Sequence, residues 1–112
     1  MLIDKTPFVD GYDHCFVTNA APGAMRHIAS VEDARTALRM DVLTDLPGVQ
    51  LYTANFLPRQ RGKGGAAYGR RSALCLETEY YPDRIHHPAF PQPVFAAGEP
   101  YRAETLYRFS PP

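Results

Sequence analysis

Thr36-Ala37-Leu38-Arg39-Met40-Asp41-Val42-Leu43-Thr44 carries the cleanest period in the chain. Leu38, Met40 and Val42 fall on one side of a two-residue repeat, and Arg39, Asp41 and Leu43 on the other. Successive side chains of a strand point to opposite faces, so this alternation predicts an extended strand with one face buried. Strand-like segments flank it on both sides: His14–Thr18 and Arg26–Glu32 before it, then Val49–Ala54, Ser72–Tyr80, Val94–Ala97 and Glu104–Phe109. Turn chemistry separates them. Pro22-Gly23, Glu32-Asp33-Ala34-Arg35, Leu46-Pro47-Gly48 and Gly98-Glu99-Pro100 supply fixed or left-handed φ where the chain must reverse.

Eleven prolines and eight glycines in 112 residues break up any long helix, while seven Tyr and six Phe favour strands. Short strands punctuated at this spacing predict an all-β antiparallel sheet or sandwich. Met1–Asp10 reads as a connecting segment. Leu57–Arg71, rich in Gly and Arg, reads as a long loop without structure of its own, functional or mobile. Pro82–Pro93 contains four prolines and reads as an ordered coil on the fold surface.

At this length the chain is one domain or a piece of one. Its formal net charge is zero, which leaves no global electrostatic case for nucleic acid or an anionic membrane. Arg59, Arg61, Lys63, Arg70 and Arg71 form the only basic cluster, and it lacks phosphate-loop spacing. No apolar run approaches membrane-spanning length, and Met1-Leu2-Ile3-Asp4 is not patterned as a signal peptide. Cys15 and Cys75 stand alone in apolar contexts, the pattern of buried reduced thiols in a cytoplasmic protein.

The chemistry concentrates in Leu76-Glu77-Thr78-Glu79-Tyr80-Tyr81-Pro82-Asp83. Glu77 and Glu79 are two apart in a strand and share a face. Burial beside aromatics, with mutual repulsion, would raise the pKa of at least one of them, as proton-transferring carboxylates require. An edge strand with its acidic face in water is the plainer reading of this pair alone.

Other segments bear on the choice. Gly11-Tyr12-Asp13-His14-Cys15-Phe16, Pro47-Gly48-Val49-Gln50-Leu51-Tyr52-Thr53-Ala54-Asn55-Phe56-Leu57, Leu76-Glu77-Thr78-Glu79 with Pro82-Asp83, and His87-Pro88-Ala89-Phe90-Pro91 occur in order. Gly98-Glu99-x-Tyr101 and Thr105-x-Tyr107-x-Phe109 close the set. Together they resemble the C-terminal part of the aldose 1-epimerase (galactose mutarotase) family, across nearly all of residues 9 to 110. The resemblance implies that residues 1–112 are the C-terminal portion of a single antiparallel β-sandwich whose concave face binds a hexose. It implies an isomerase that interconverts α and β anomers of hexoses such as galactose or glucose, without cofactor or metal. Carried over residue by residue, it makes Glu77 the catalytic base and Asp13 and Gln50 contacts to sugar hydroxyls. Glu79 takes a position where many members have Gln, and is expected to be a tuning or structural neighbour.

Members of that family are two to three times longer than this chain. The resemblance places the general-acid histidine, an Asn–Arg pair and a second histidine in a preceding N-terminal portion. None of His14, His27, His86 and His87 is expected to replace that acid. His14 should point away from Asp13 and take a packing or structural role. The isolated chain is therefore expected to carry the base, lack the acid and be inactive. A missing N-terminal half, or a second copy, is the expected cover for its exposed strand edges. Two alternatives stay open: a non-catalytic carbohydrate-binding β-module, and a self-associating β fragment.

Overall fold

The computed structural model describes residues 11–19 and 23–111. Eight strands run in chain order: β1 Asp13–Val17, β2 Arg26–Glu32, β3 Arg39–Thr44, β4 Gly48–Tyr52, β5 Gln60–Arg61, β6 Ala67–Tyr68, β7 Cys75–Glu79 and β8 Thr105–Ser110. Single 3₁₀ turns at Lys63–Gly65 and Arg84–His86 are the only helical elements among the described residues. The fold is all-β. Strands β2-β3-β8 form one three-stranded sheet in that order, β1-β4-β7 another, and β5-β6 a two-stranded ribbon. The chain divides into two compact units, one holding residues up to Phe16 with Gln50–Glu77, the other Val17–Val49 with Thr78 onward.

The second unit is built on β3, paired antiparallel to β2 on one side and β8 on the other. Val42 is fully buried, as the alternation predicts. Burying one valine side chain contributes about 1.5–3 kcal/mol. The opposite face departs from the expectation, because Asp41 on it is also buried, at 5 % exposure. The register explains why: Ser30 on β2 and Arg108 on β8 lie directly across from Asp41. The Ser30 hydroxyl donates to Oδ1 at 2.7 Å, Arg39 Nε to the same oxygen at 3.0 Å, and Arg108 Nη2 to Oδ2 at 3.0 Å. A carboxylate shielded from water is tolerated when hydrogen bonds and opposite charges meet it in this way. The Ser30 hydroxyl first, then the Arg108 and Arg39 guanidiniums, hold the Asp41 carboxyl well below the usual carboxylate range.

Strand β3 also starts later than the period suggests, and Leu38 is 45 % exposed. A turn takes up the preceding residues: Thr36 and Ala37 N–H both donate to the Asp33 carbonyl, and Ala37 adopts φ +54°. The Asp33 carboxylate accepts from the Thr36 hydroxyl at 2.8 Å and the Arg35 N–H at 3.2 Å. These bonds, Thr36 first, lower its pKa. The turn expected at Glu32–Arg35 is thus present. That at Pro22-Gly23 lies partly outside the described residues, as does Met1–Asp10 entirely.

Three further expectations are corrected. Leu57–Arg71 is not structureless: β5 and β6 pair Gln60 with Tyr68 and Arg61 with Ala67 across the Lys63–Gly65 turn. Val94–Ala97 is not a strand, because the Ala96 N–H is taken by Glu99 Oε2 at 2.8 Å instead of a ladder partner. Cys75 is exposed and Cys15 only half-buried, so the picture of two buried thiols fails. No helix of the described residues is long and apolar enough to cross a membrane.

Candidate functional site

Asp13 opens β1, Gln50 sits on β4 and Glu77 on β7, so the three residues occupy consecutive strands of one sheet. All three belong to the first compact unit. Gln50 Nε2 donates to Asp13 Oδ1 at 2.7 Å across a sequence separation of 37. That bond orients the amide and leaves Gln50 Oε1 buried without a hydrogen-bond partner. Asp13 and Glu77 are exposed. The Glu77 carboxylate carries no hydrogen bond or ion pair among the described residues. The structure therefore joins Asp13 to Gln50 directly, and it presents Glu77 to solvent on the strand beside β4 instead of burying it against aromatics.

The ends of β1 and β4 are tied together just beyond these residues. Tyr12 N–H donates to Thr53 Oγ1 at 2.9 Å, and Thr53 N–H returns a bond to the Tyr12 carbonyl at 3.2 Å. Asn55, 4 % exposed, adds a bond from Nδ2 to the Tyr12 carbonyl at 2.6 Å and accepts from Thr53 Oγ1 at 2.9 Å. A side chain so committed is turn chemistry, not a ligand contact. Gly11 makes the approach feasible. With φ +131°, a Cβ there would collide with Asn55 Oδ1 and the Arg71 guanidinium. Asn at a strand end signals turn chemistry in the sequence, as Asn55 shows, whereas the anchoring roles of Gly11 and Thr53 carry no such signal.

Glu79 differs from Glu77 in setting. It is half-buried, and its Oε1 has neither solvent nor a hydrogen-bond partner. Tyr80 lies under the Arg84 guanidinium, 5.8 Å from the ring centroid, and Tyr81 packs edge-on to Phe90 at 5.1 Å.

The histidines all have local partners. His14 Nδ1 accepts the Asp13 N–H at 3.0 Å and its ring meets Tyr12 edge-on at 5.8 Å, a structural placement as expected. His27 Nε2 lies 2.9 Å from Ser30 Oγ and 3.4 Å from Asp41 Oδ1. His86 pairs with Asp83, and His87 stacks at 5.0 Å on Phe90.

Comparison with known proteins converges on one family. The family model for aldose 1-epimerase matches residues 2–108. The chain is similar to galactose mutarotase of Bos taurus (40 % identity over 103 residues) and of Mus musculus (39 % over 103 residues), with 91 % of this chain covered in each. It is also similar to aldose 1-epimerase of Escherichia coli (strain K12), 37 % identical over 103 residues and 90 % of this chain. The chain spans only about 30 % of the length of these curated relatives.

Proposed function

Because this chain belongs to the aldose 1-epimerase family, we propose that it carries the base-bearing part of a mutarotase site, with Glu77 as general base. The reading is supported chiefly by the placement of Asp13, Gln50 and Glu77 on three consecutive strands of one sheet. Mutarotation removes a proton from the anomeric hydroxyl and delivers one to the ring oxygen. The ring opens to an aldehyde, rotates about C1–C2 and recloses as the other anomer. An exposed carboxylate on a strand, without a hydrogen bond among the described residues, is available to take the first proton. Asp13 accepts hydrogen bonds from sugar hydroxyls, and Gln50, held by Asp13 through one Nε2 hydrogen, has a second to offer a sugar oxygen.

The second half of the reaction needs an acid on the other side of the anomeric centre. His14, His27, His86 and His87 are each engaged locally. We therefore assign the acid to the part of the relatives' length that this chain does not cover, and a hexose to the completed site. The exposed thiol of Cys75 supports a reducing, cytoplasmic setting.

Polarimetry on freshly dissolved α-galactose tests the assignment. The purified chain alone is expected to leave anomer exchange at the buffer rate. Mixing it with the N-terminal portion of the bacterial relative is expected to restore exchange, and Glu77→Gln to abolish the gain. A rate well above buffer from the chain alone would overturn the external acid, and a restored rate insensitive to Glu77→Gln would overturn the base.

A further inference from the structure

The second compact unit contains a cavity of about 400 Å³, lined among others by Leu46, Glu79, Tyr80, Arg84, Phe95 and Tyr101. None of these is among the residues assigned to the epimerase chemistry. We propose that this cavity is a separate binding site for one neutral pyranose ring, with Glu79 as its hydroxyl acceptor.

The argument starts from Glu79 Oε1, which is buried and without a hydrogen-bond partner. A buried acceptor left unsatisfied is costly, so the carboxylate calls for a donor from outside. Arg84 lines the same cavity, yet no ion pair joins it to Glu79; its guanidinium sits over the Tyr80 ring. The cavity thus holds one negative and one positive group that do not neutralise each other directly. An anion would meet Glu79, a simple cation would meet Arg84, and an amino-acid carboxylate would have to draw Arg84 off Tyr80. A neutral ligand with hydroxyl donors and an apolar face meets neither penalty. Tyr101 and Phe95, 56 % and 43 % exposed, offer the aromatic surface on which the C–H face of a sugar ring packs. A volume of about 400 Å³ lies at the small end of ligand pockets, suited to one ring and not a chain.

Both walls are held in advance of binding. On one side, the Gln92 amide donates to the carbonyls of Arg84, His87 and Phe90 at 2.8, 3.0 and 3.1 Å, stapling the proline-rich coil that carries Arg84. On the other, Phe95 and Tyr101 stand edge to face at 5.3 Å. The turn between them is closed by Glu99, which accepts the Ala96 N–H at 2.8 Å and donates its own N–H to the Ala96 carbonyl. Walls fixed this way lose little entropy on binding.

The test is NMR titration of the isotope-labelled chain with methyl β-galactoside, whose locked anomeric centre excludes mutarotation. Saturable shifts are expected at Tyr101, Phe95 and Arg84, unchanged by Glu77→Gln. Loss of one satisfied hydrogen bond in Glu79→Ala is expected to weaken binding about tenfold. Tyr101→Ala, at an exposed position, should weaken it similarly without threatening the fold. Shifts confined to Asp13, Gln50 and Glu77 would overturn the cavity site and leave the epimerase reading standing. Shifts in the cavity with none at Gln50 would support the cavity site and leave the epimerase reading, whose hexose belongs to the completed site, to the polarimetric test. No cavity shift at all, affinity unaltered in both variants, or cavity shifts with phenylalanine but not with the glycoside would each overturn the proposal.

Discussion

Replacing Thr44 by Val separates hydrogen bonding from packing at the most enclosed polar side chain of the described residues. Thr44 is fully buried, and Val has nearly its shape, so no cavity opens. The change removes a hydroxyl that bonds the Glu104 carbonyl at 2.9 Å, lies 3.1 Å from Thr105 Oγ1, and accepts the Leu46 N–H at 3.2 Å. Two of the three partners have substitutes. The Glu104 carbonyl still accepts the Asp45 N–H at 3.3 Å, and Thr105 Oγ1 still meets Thr78 Oγ1 at 2.6 Å. The Leu46 N–H has none, and Leu46 is only 7 % exposed.

Orphaning one buried backbone donor costs about 1–3 kcal/mol, against about 0.8 kcal/mol regained by burying a methyl in place of the hydroxyl. The net expectation is a loss of about 0.2–2 kcal/mol. With a urea slope of about 1–3 kcal/mol/M for a small protein, the unfolding midpoint should drop by about 0.1–2 M, near 0.5 M at mid-range, with the slope unchanged. Thr44→Ser keeps the hydroxyl, loses one methyl, and should cost about 1 kcal/mol. Far-UV circular dichroism against urea reads both variants. If Thr44→Val is as stable as the parent while Thr44→Ser is weakened, packing alone governs the position and the reasoning fails.

Three other perturbations follow from the same geometry. Gly11→Ala should destabilise by more than the roughly 1 kcal/mol usual for a left-handed glycine, because the new Cβ also meets Asn55 and Arg71; denaturant midpoints give the value. Asn55→Ala removes a 2.6 Å bond to a carbonyl that keeps its Thr53 partners, so the expected cost is about 1–2 kcal/mol, with altered amide shifts at Gln50. Asp41 has a folded pKa depressed below its unfolded value of about 3.9, so its stabilisation is present above that pH and lost as pH falls through the folded pKa. The urea midpoint of the parent should therefore decline below about pH 4 more steeply than that of Asp41→Asn, and parallel profiles would refute the role given to the Ser30–Arg39–Arg108 cluster.

How much of this was legible in the sequence depends on the range of the interaction involved. The two-residue period around Val42 is local, and the strand it predicts is present, as are the turn at Asp33 and the strands carrying Asp13, Gln50 and Glu77. Asp41 marks the limit. Its burial depends on Arg108, 67 residues away, and a polar residue in an alternating strand reads as exposed until that partner is placed. The short β5–β6 ribbon was missed for a related reason: two paired residues per strand carry no period to detect.

The acidic pair shows the same limit at the site. A shared strand face says that Glu77 and Glu79 point the same way, but not what covers each. Among the described residues nothing bonds the Glu77 carboxylate, whereas Glu79 borders the open cavity flanked by the coil and turn that follow β7. Equal spacing therefore yields unequal chemistry, an exposed carboxylate open to a proton beside a half-buried one whose Oε1 is enclosed. The link between Gln50 and Asp13 adds a selection rule. The Gln50 amide spends one Nε2 hydrogen on Asp13, so a ligand hydroxyl meeting this pair donates to Asp13 and accepts only the remaining Nε2 hydrogen. Methylating the hydroxyl that reaches this pair would remove the donor, and a sugar so modified should lose binding here while keeping the rest of its surface.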